Sequence, residues 1–293
     1  MVIGPIRRRI QWTRRQFLRR AFQVTVGAAS LAGATSAYGF WEASQIQINR
    51  KTIALAHLPP AFAGKTIAVL ADLHHGPLVG IRFIREAVKL ANSLRPDAFA
   101  LVGDFAHSET YTQEQLPPCL EALSRLEAPL GLFAVPGNHD MQFEGIVYRE
   151  VIKTTRLTDL TNRSICLTSS GKHLWITGVD DLAWGNPDVD AALSDIPENA
   201  AVVLLSHNPD LAEEQPDERV GLILSGHTHG GQIYLPGMGT TWLPSKYGEK
   251  YRSGLVQGPA SQVFVSRGLG ESGIPLRLNC PPEINLLTLI PTT

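Results

Sequence analysis

Cysteine is scarce in this chain. Three occur in 293 residues, Cys119, Cys166 and Cys280, far apart and with no CxxC pair. Nothing in that spacing fits a zinc finger, and the three read as small buried apolar side chains, with a Cys119–Cys166 or Cys166–Cys280 disulfide as the alternative. An internal repeat and a low-complexity tract are also absent, so the core is one unit. The chain has no basic excess either: 26 Lys and Arg stand against 27 Asp and Glu. Seven arginines, Arg7, Arg8, Arg9, Arg14, Arg15, Arg19 and Arg20, fall within the first twenty residues, so the remaining body is acidic. A body without a basic patch lacks the footprint of a nucleic-acid binder, and no nucleic-acid partner is expected. With 44% apolar and 18% charged residues, the length suffices for one sizeable core.

No charge occurs between Ala21 and Trp41, and that run follows Thr13-Arg14-Arg15-Gln16-Phe17-Leu18-Arg19. The layout resembles the bacterial twin-arginine export pattern, two arginines, any residue, then Phe-Leu and a basic residue. It predicts that residues 1–41 are a signal peptide or membrane anchor, with the twin-arginine translocase as partner. The uncharged run approaches the roughly 20 residues that span a bilayer. Gly27, Gly33 and Gly39 dilute its hydrophobicity, and Ala34, Ser36 and Ala37 offer an A-x-A-like cleavage site. Either fate places the body in the periplasm or on the outer face of the cytoplasmic membrane, held there through the N-terminus if the anchor stays.

Residues 42–65 read as a linker and an opening edge strand, broken at Leu58-Pro59-Pro60. Short, β-branched apolar runs follow at 67–71, 98–102, 131–135, 174–177, 201–205 and 221–224, each with the character of a buried strand. Helical spacing occupies Ile81–Leu94, and a second helix is expected over Leu116–Leu126, after its prolines. The alternation of strand and helix makes residues 66–293 an α/β domain. It closes with a strand at 262–266, a Gly-rich stretch at 268–273 and a last strand at 284–290.

Almost every buried run ends in Asp, His or Asn. Asp72 and His74 follow the first, Asp104 the second, Asn138 and His139 the third; His207 comes after 201–205, and His227 and His229 after 221–224. In a parallel α/β sheet the loops beyond the strands' carboxyl ends share one crevice. Mixed oxygen and imidazole donors suit Mn, Fe or Zn rather than Ca or Mg. Asp72, His74, Asp104, Asn138, His207, His227 and His229 are too many ligands for one ion that keeps a water position, so two divalent ions are expected, with Asp104 able to bridge them.

The series Asp72-x-His74, Gly103-Asp104, Gly137-Asn138-His139-Asp140, His207, Gly226-His227-x-His229 resembles the signature of the calcineurin-like metallophosphoesterases from about Ile67 to the end of the chain. The finer likeness is to the bacterial branch of YkuE- and YaeI-type phosphodiesterases, through Ala71–Gly76, Gly226–Gln232, and Gly268-Leu269-Gly270 leading to Pro281-Pro282-Glu283-Ile284. The resemblance implies a sandwich of two packed mixed sheets flanked by helices, with the metal site at the carboxyl ends of the strands. It further implies that Asp72, His74, Asp104 and His229 hold one ion and Asp104, Asn138, His207 and His227 the other, a hydroxide on the metals attacking a phosphate ester. His139 is then the general acid and Asp140 its orienting carboxylate. The second motif departs from the family at Phe105-Ala106-His107, where His107 is a substitute for the usual polar neighbour. Arg267 is a candidate phosphate clamp, its alternative being an ion pair with Glu271, and Phe105, Trp184 and Trp242 lie near loops that reach the crevice.

The activity so implied is a phosphoesterase, most of all a phosphodiesterase, on a lipid-linked or cell-envelope substrate. A pyrophosphatase of the UDP-2,3-diacylglucosamine type, from lipid A metabolism, and a non-catalytic scaffold of the same fold are the alternatives.

Overall fold

The structure, a computed structural model, describes residues 13–107 and 112–292. Arg7, Arg8 and Arg9 of the basic cluster lie outside the described residues. Two six-stranded sheets face each other. The first runs β1 (Gln47–Leu55), β14 (Glu283–Pro291), β2 (Thr66–Leu70), β3 (Ala98–Val102), β4 (Leu132–Val135), β5 (Thr158–Asp159). The second runs β12 (Gly254–Gln257), β13 (Gln262–Val265), β9 (Leu222–Ser225), β8 (Ala201–Leu205), β7 (Lys172–Gly178), β6 (Arg163–Ser169). Strands β2 to β5 are parallel, as are β7, β8, β9 and β13; β14 runs against β2, and β6 and β12 close the second sheet antiparallel. This is the expected α/β architecture of two mixed sheets.

Side-chain alternation explains why these strands read as unbroken apolar runs. In β2, Ile67 and Val69 enter the layer between the sheets, whereas Ala68 and Leu70 face α2 (Ile81–Ser93) and α3 (Thr112–Leu123). In β8, Val203 and Leu205 point inward while Val202 and Leu204 meet α5 (Val189–Leu193) and α6 (Leu211–Glu214). A strand covered on both faces needs apolar residues at every position. In α2 the spacing of Ile84, Ala87, Val88 and Ala91 puts one face on the first sheet.

Helix α3 corrects an expectation: it begins at Thr112, ahead of Pro117 and Pro118, which lie inside it. Each proline deletes one bond to the carbonyl four residues back. The short helix α4 (Ile146–Ile152), β5, β6 with its hairpin onto the expected strand β7, β12 and a small hairpin of β10 (Tyr234–Leu235) with β11 (Gly239–Thr240) were not foreseen. The cysteines are free; Cys119 and Cys280 are buried and Cys166 half-buried.

Helix α1 (Arg14–Glu42) starts on Thr13, whose hydroxyl accepts from the Gln16 N–H while the Gln16 side chain accepts from Thr13 N. Nearly all of it is exposed until its last turn, where Gly39, Glu42 and Ala43 are buried on the body. Position 41 therefore falls inside a continuous helix. Among the described residues no helix is both long and apolar enough to cross a membrane.

Candidate metal centre

The loops beyond β2, β3, β4, β8 and β9 meet at one end of the sandwich. His74 Nε2 lies 3.0 Å from His229 Nε2 and 3.3 Å from Asp104 Oδ2, and His229 Nε2 is 3.6 Å from Asp72 Oδ1. On the other side His207 Nε2 is 3.3 Å from Asp104 Oδ2, 3.1 Å from Asn138 Oδ1 and 3.2 Å from His227 Nδ1. The donor atoms fall into three groups, Asp72 with His74 and His229, Asp104 with His207 and His227, and His74 with Asp104 and His139, each within 4.8 Å. Asp104 belongs to two of them.

The backbone is bent to bring these side chains in. Asp72, His74, Asp104, His227 and His229 all have φ between 46° and 68°, the left-handed region that non-glycine residues rarely occupy. Such conformations cost of order 1–3 kcal/mol each and cluster where function demands them. Room is made by glycine: a Cβ on Gly137 would land on Asp104 Oδ1, and one on Gly226 on Asp72 Oδ2.

The donor set fits divalent cations. Asp72 and Asp104 are buried carboxylates, and two imidazole nitrogens 3.0 Å apart share at most one proton, so a cation between them satisfies what they cannot satisfy among themselves. His207 Nδ1 faces the Val102 carbonyl at 2.8 Å and donates its proton there, so Nε2 is the nitrogen turned towards Asp104 and Asn138. Burial drives His74 and His229 well below the usual imidazole range, and burial with the neighbouring His207 brings His227 down to about 3. These three are therefore neutral, as ligands must be. Burial pushes Asp72 up to about 7, with His207 and Arg277 pulling against it and Asp104 adding to it. Burial also works to raise Asp104, but His207, His139 and His74 hold it well below the ordinary carboxylate range; in return Asp104 overcomes the burial of His207 and raises it to about 10, so His207 carries a proton on Nε2 as well, one that a cation taking that nitrogen would displace.

Two expectations are corrected here. Asp140 does not orient His139: its carboxylate accepts from the N–H groups of Phe105, Ala106 and Gly137 at 2.9–3.2 Å, tying together the loops after β3 and β4. The partner of His139 is instead the His107 carbonyl, 2.6 Å from Nδ1, which fixes the proton on that nitrogen and leaves Nε2 as the ring's other proton-carrying position; the His139 N–H donates to Asp104 Oδ1. His107 also lays its ring along that of His139, with centroids 6.0 Å apart. Arg267 pairs with Glu283, Nε to Oε2 at 2.6 Å, and not with Glu271.

Of the aromatics, Phe105 is buried and stacks on Tyr148 in the core, while Trp184 and Trp242 are exposed in their loops. His75 turns away to the Gln115 carbonyl. Asp181 escaped the sequence reading. It is buried, its field reaches His207 and Asp104, and Oδ2 has no partner among the described residues. The signal was present, since it follows the strand read only as far as Thr177.

Fold and site together define a metal-dependent hydrolase. The model of the family described as calcineurin-like phosphoesterase matches residues 65–231, and the chain belongs to that family, acting on phosphoric ester bonds. It is 34% identical over 281 residues to the uncharacterized metallophosphoesterase YkuE of Bacillus subtilis (strain 168), covering 94% of this chain and 97% of that protein. To the phosphodiesterase YaeI of Escherichia coli (strain K12) it is 29% identical, covering 93% and 98%. Among solved structures, the Haemophilus influenzae NAD nucleotidase (NadN) aligns with 70% of this chain and 45% of its own at a TM-score of 0.46 and 16% identity.

Proposed function

We propose that this chain is a two-metal phosphodiesterase working outside the cytoplasmic membrane on a cell-envelope or lipid-linked phosphodiester. The observation that carries the two-ion reading is the position of Asp104 between the donor group of His74 and that of His207 and His227. Asp72, His74, Asp104 and His229 would hold one ion, and Asp104, Asn138, His207 and His227 the other, with Mn, Fe or Zn matching the donors. Divalent ions there supply Lewis acidity towards phosphate oxygens and make water a stronger acid.

His139 is the general acid. Its Nδ1 proton is committed to the His107 carbonyl, so the proton it delivers sits on Nε2. As the P–O bond breaks, that proton passes to the leaving oxygen, while water adds to phosphorus and leaves an alcohol and a phosphomonoester. The name of YaeI as a phosphodiesterase supports the diester, and Thr13–Arg19 with the uncharged run behind it supports export by the twin-arginine route.

The test is hydrolysis of bis(p-nitrophenyl) phosphate against p-nitrophenyl phosphate by the full chain, stripped of metal and reloaded with Mn, Fe or Zn. Faster metal-dependent release from the diester is expected. Faster release from the monoester would overturn the diesterase assignment, and no release with any of the ions would overturn the catalytic one.

A further inference from the structure

Arg277 stands out from the other charged residues. Among the described residues it is the largest of the fully buried side chains, with 0% of its surface exposed. Its acceptors are three backbone carbonyls: Cys280 O at 3.0 Å from Nη1, and Arg267 O at 2.9 Å and Gly270 O at 2.5 Å from Nη2. Nε has no partner among the described residues. A buried cation is costly unless its donors are satisfied, so its presence calls for a reason beyond packing.

The segments it grips lead to two of the candidate ligands. Gly270 N donates to Asp72 O at 2.6 Å and Leu269 N to Ala71 O at 3.0 Å, so this loop lies directly behind the Asp72 backbone. A Cβ on Gly268 would stand 2.6 Å from Asp72 Cβ, which shows how closely the loop presses there. Cys280, at the other tip of the fork, directs its thiol to His229 O at 3.1 Å. Arg277 is itself placed by its own N–H, which donates to Gly39 O at the end of α1 at 3.2 Å.

We infer that Arg277 is a positioning residue for the metal centre, its planar fork fixing the backbone behind Asp72 against the backbone behind His229. The inference rests on the reading of Asp72, His74 and His229 as ligands of one ion. Both Asp72 and His229 sit in left-handed backbone, so neither is held by ordinary local geometry, and an external brace is what keeps them in register. The brace acts directly on the ion at the Asp72 side; it reaches the Asp104, His207 and His227 group only at second hand, through the Asp72 carboxylate, which accepts from the His227 N–H at 2.9 Å, and the Asp72 N–H, which donates to Gly103 O at 3.0 Å. Lysine cannot replace it, because one ammonium on a flexible stem does not span three carbonyls on different segments as a rigid fork does.

The experiment uses the full chain carrying Arg277→Lys, with wild type and Asp72→Asn alongside. Mn binding to the chelator-treated proteins is followed by calorimetry, and amide hydrogen exchange is read at Leu269 and Gly270. Arg277→Lys is expected to weaken one of the two ions, the one that Asp72→Asn removes, by about tenfold to a hundredfold, the usual effect of losing a group that orients a ligand. The other ion, linked to the brace only through Asp72, weakens clearly less than the first, exchange at Leu269 and Gly270 quickens, and exchange in β3 does not change. Unchanged affinities with unchanged exchange would overturn the inference. So would equal weakening of both ions with faster exchange throughout, because that marks a role in global stability alone. If wild type binds no ion, or Asp72→Asn binds as wild type does, the ligand reading fails instead. The exchange at Leu269 and Gly270 then decides separately whether Arg277 holds the loop.

Discussion

Gly226→Ala tests how tightly the metal centre is built. A Cβ at this position would stand 2.7 Å from Ala71 Cβ and nearer still to Asp72 Oδ2. Ordinary carbon contacts are about 3.5–4.0 Å, so something must yield by roughly 1 Å. Ala71 is at the end of β2 inside the core, which leaves the Asp72 carboxylate to retreat. Metal–ligand distances tolerate only about 0.2 Å, so a displacement of that size removes Asp72 as a ligand. The overpacking itself should cost about 1–3 kcal/mol, a fall of about 2–12 °C in melting temperature. Gly137→Ala acts on Asp104, which two donor groups share, and is expected to weaken both ions where Gly226→Ala weakens one. Gly221→Ala supplies the control: its Cβ would meet Leu55 Cδ1 at 2.6 Å, far from the site and against a movable methyl. Melting of the chelator-treated proteins and Mn titration of each separate the two effects. Wild-type Mn affinity in folded Gly226→Ala would refute the argument that Asp72 ligates from this position.

His139→Ala should lower kcat for the diester by about 10²–10⁴-fold with both ions retained, measured by steady-state kinetics and elemental analysis; loss of an ion with the rate would make His139 a ligand. Phe105→Ala empties a buried stack on Tyr148 and is expected to cost about 3–5 kcal/mol in urea unfolding, with KM unchanged because the ring does not reach the crevice. Asp97 has its carboxyl held below the usual range: burial opposes this, but Lys65 at 2.8 Å and the Thr66 N–H and hydroxyl outweigh it. A folded pKa below the unfolded value of about 3.9 gives stability that is present above that value and lost as pH falls through the folded one. The melting difference between wild type and Asp97→Asn should accordingly be full at pH 7 and shrink below about pH 4.

Much of the fold was legible because its strands are covered on both faces. Runs such as Ile67–Ala71 and Ala201–Leu205 cannot alternate, and the α/β order followed from them. The donor residues that the structure brings together were legible for the same reason, since each stands just past such a run. What stayed hidden depends on contacts between distant segments. β6 is an edge strand, half exposed, with Ser164, Thr168 and Ser169 diluting its apolar pattern. Asp140 follows His139 in sequence, yet at the turn their side chains diverge, and the carboxylate finds the backbone of a loop more than thirty residues earlier. Arg277 was hidden for a different reason: its three acceptors lie only 3, 7 and 10 residues away, but they are backbone carbonyls, which no residue type marks in a sequence.

The left-handed backbone of the candidate ligands bears on how such a chain changes over time. Asp72, His74, Asp104, His227 and His229 occupy backbone that glycine or asparagine adopts more readily, so metal binding and intrinsic stability pull these positions in opposite directions. Relief of order 1–3 kcal/mol awaits a substitution at each. In a lineage where hydrolysis no longer contributed to survival, drift towards a more stable chain would erode these positions before the apolar strands beneath them. The sandwich would outlast its chemistry.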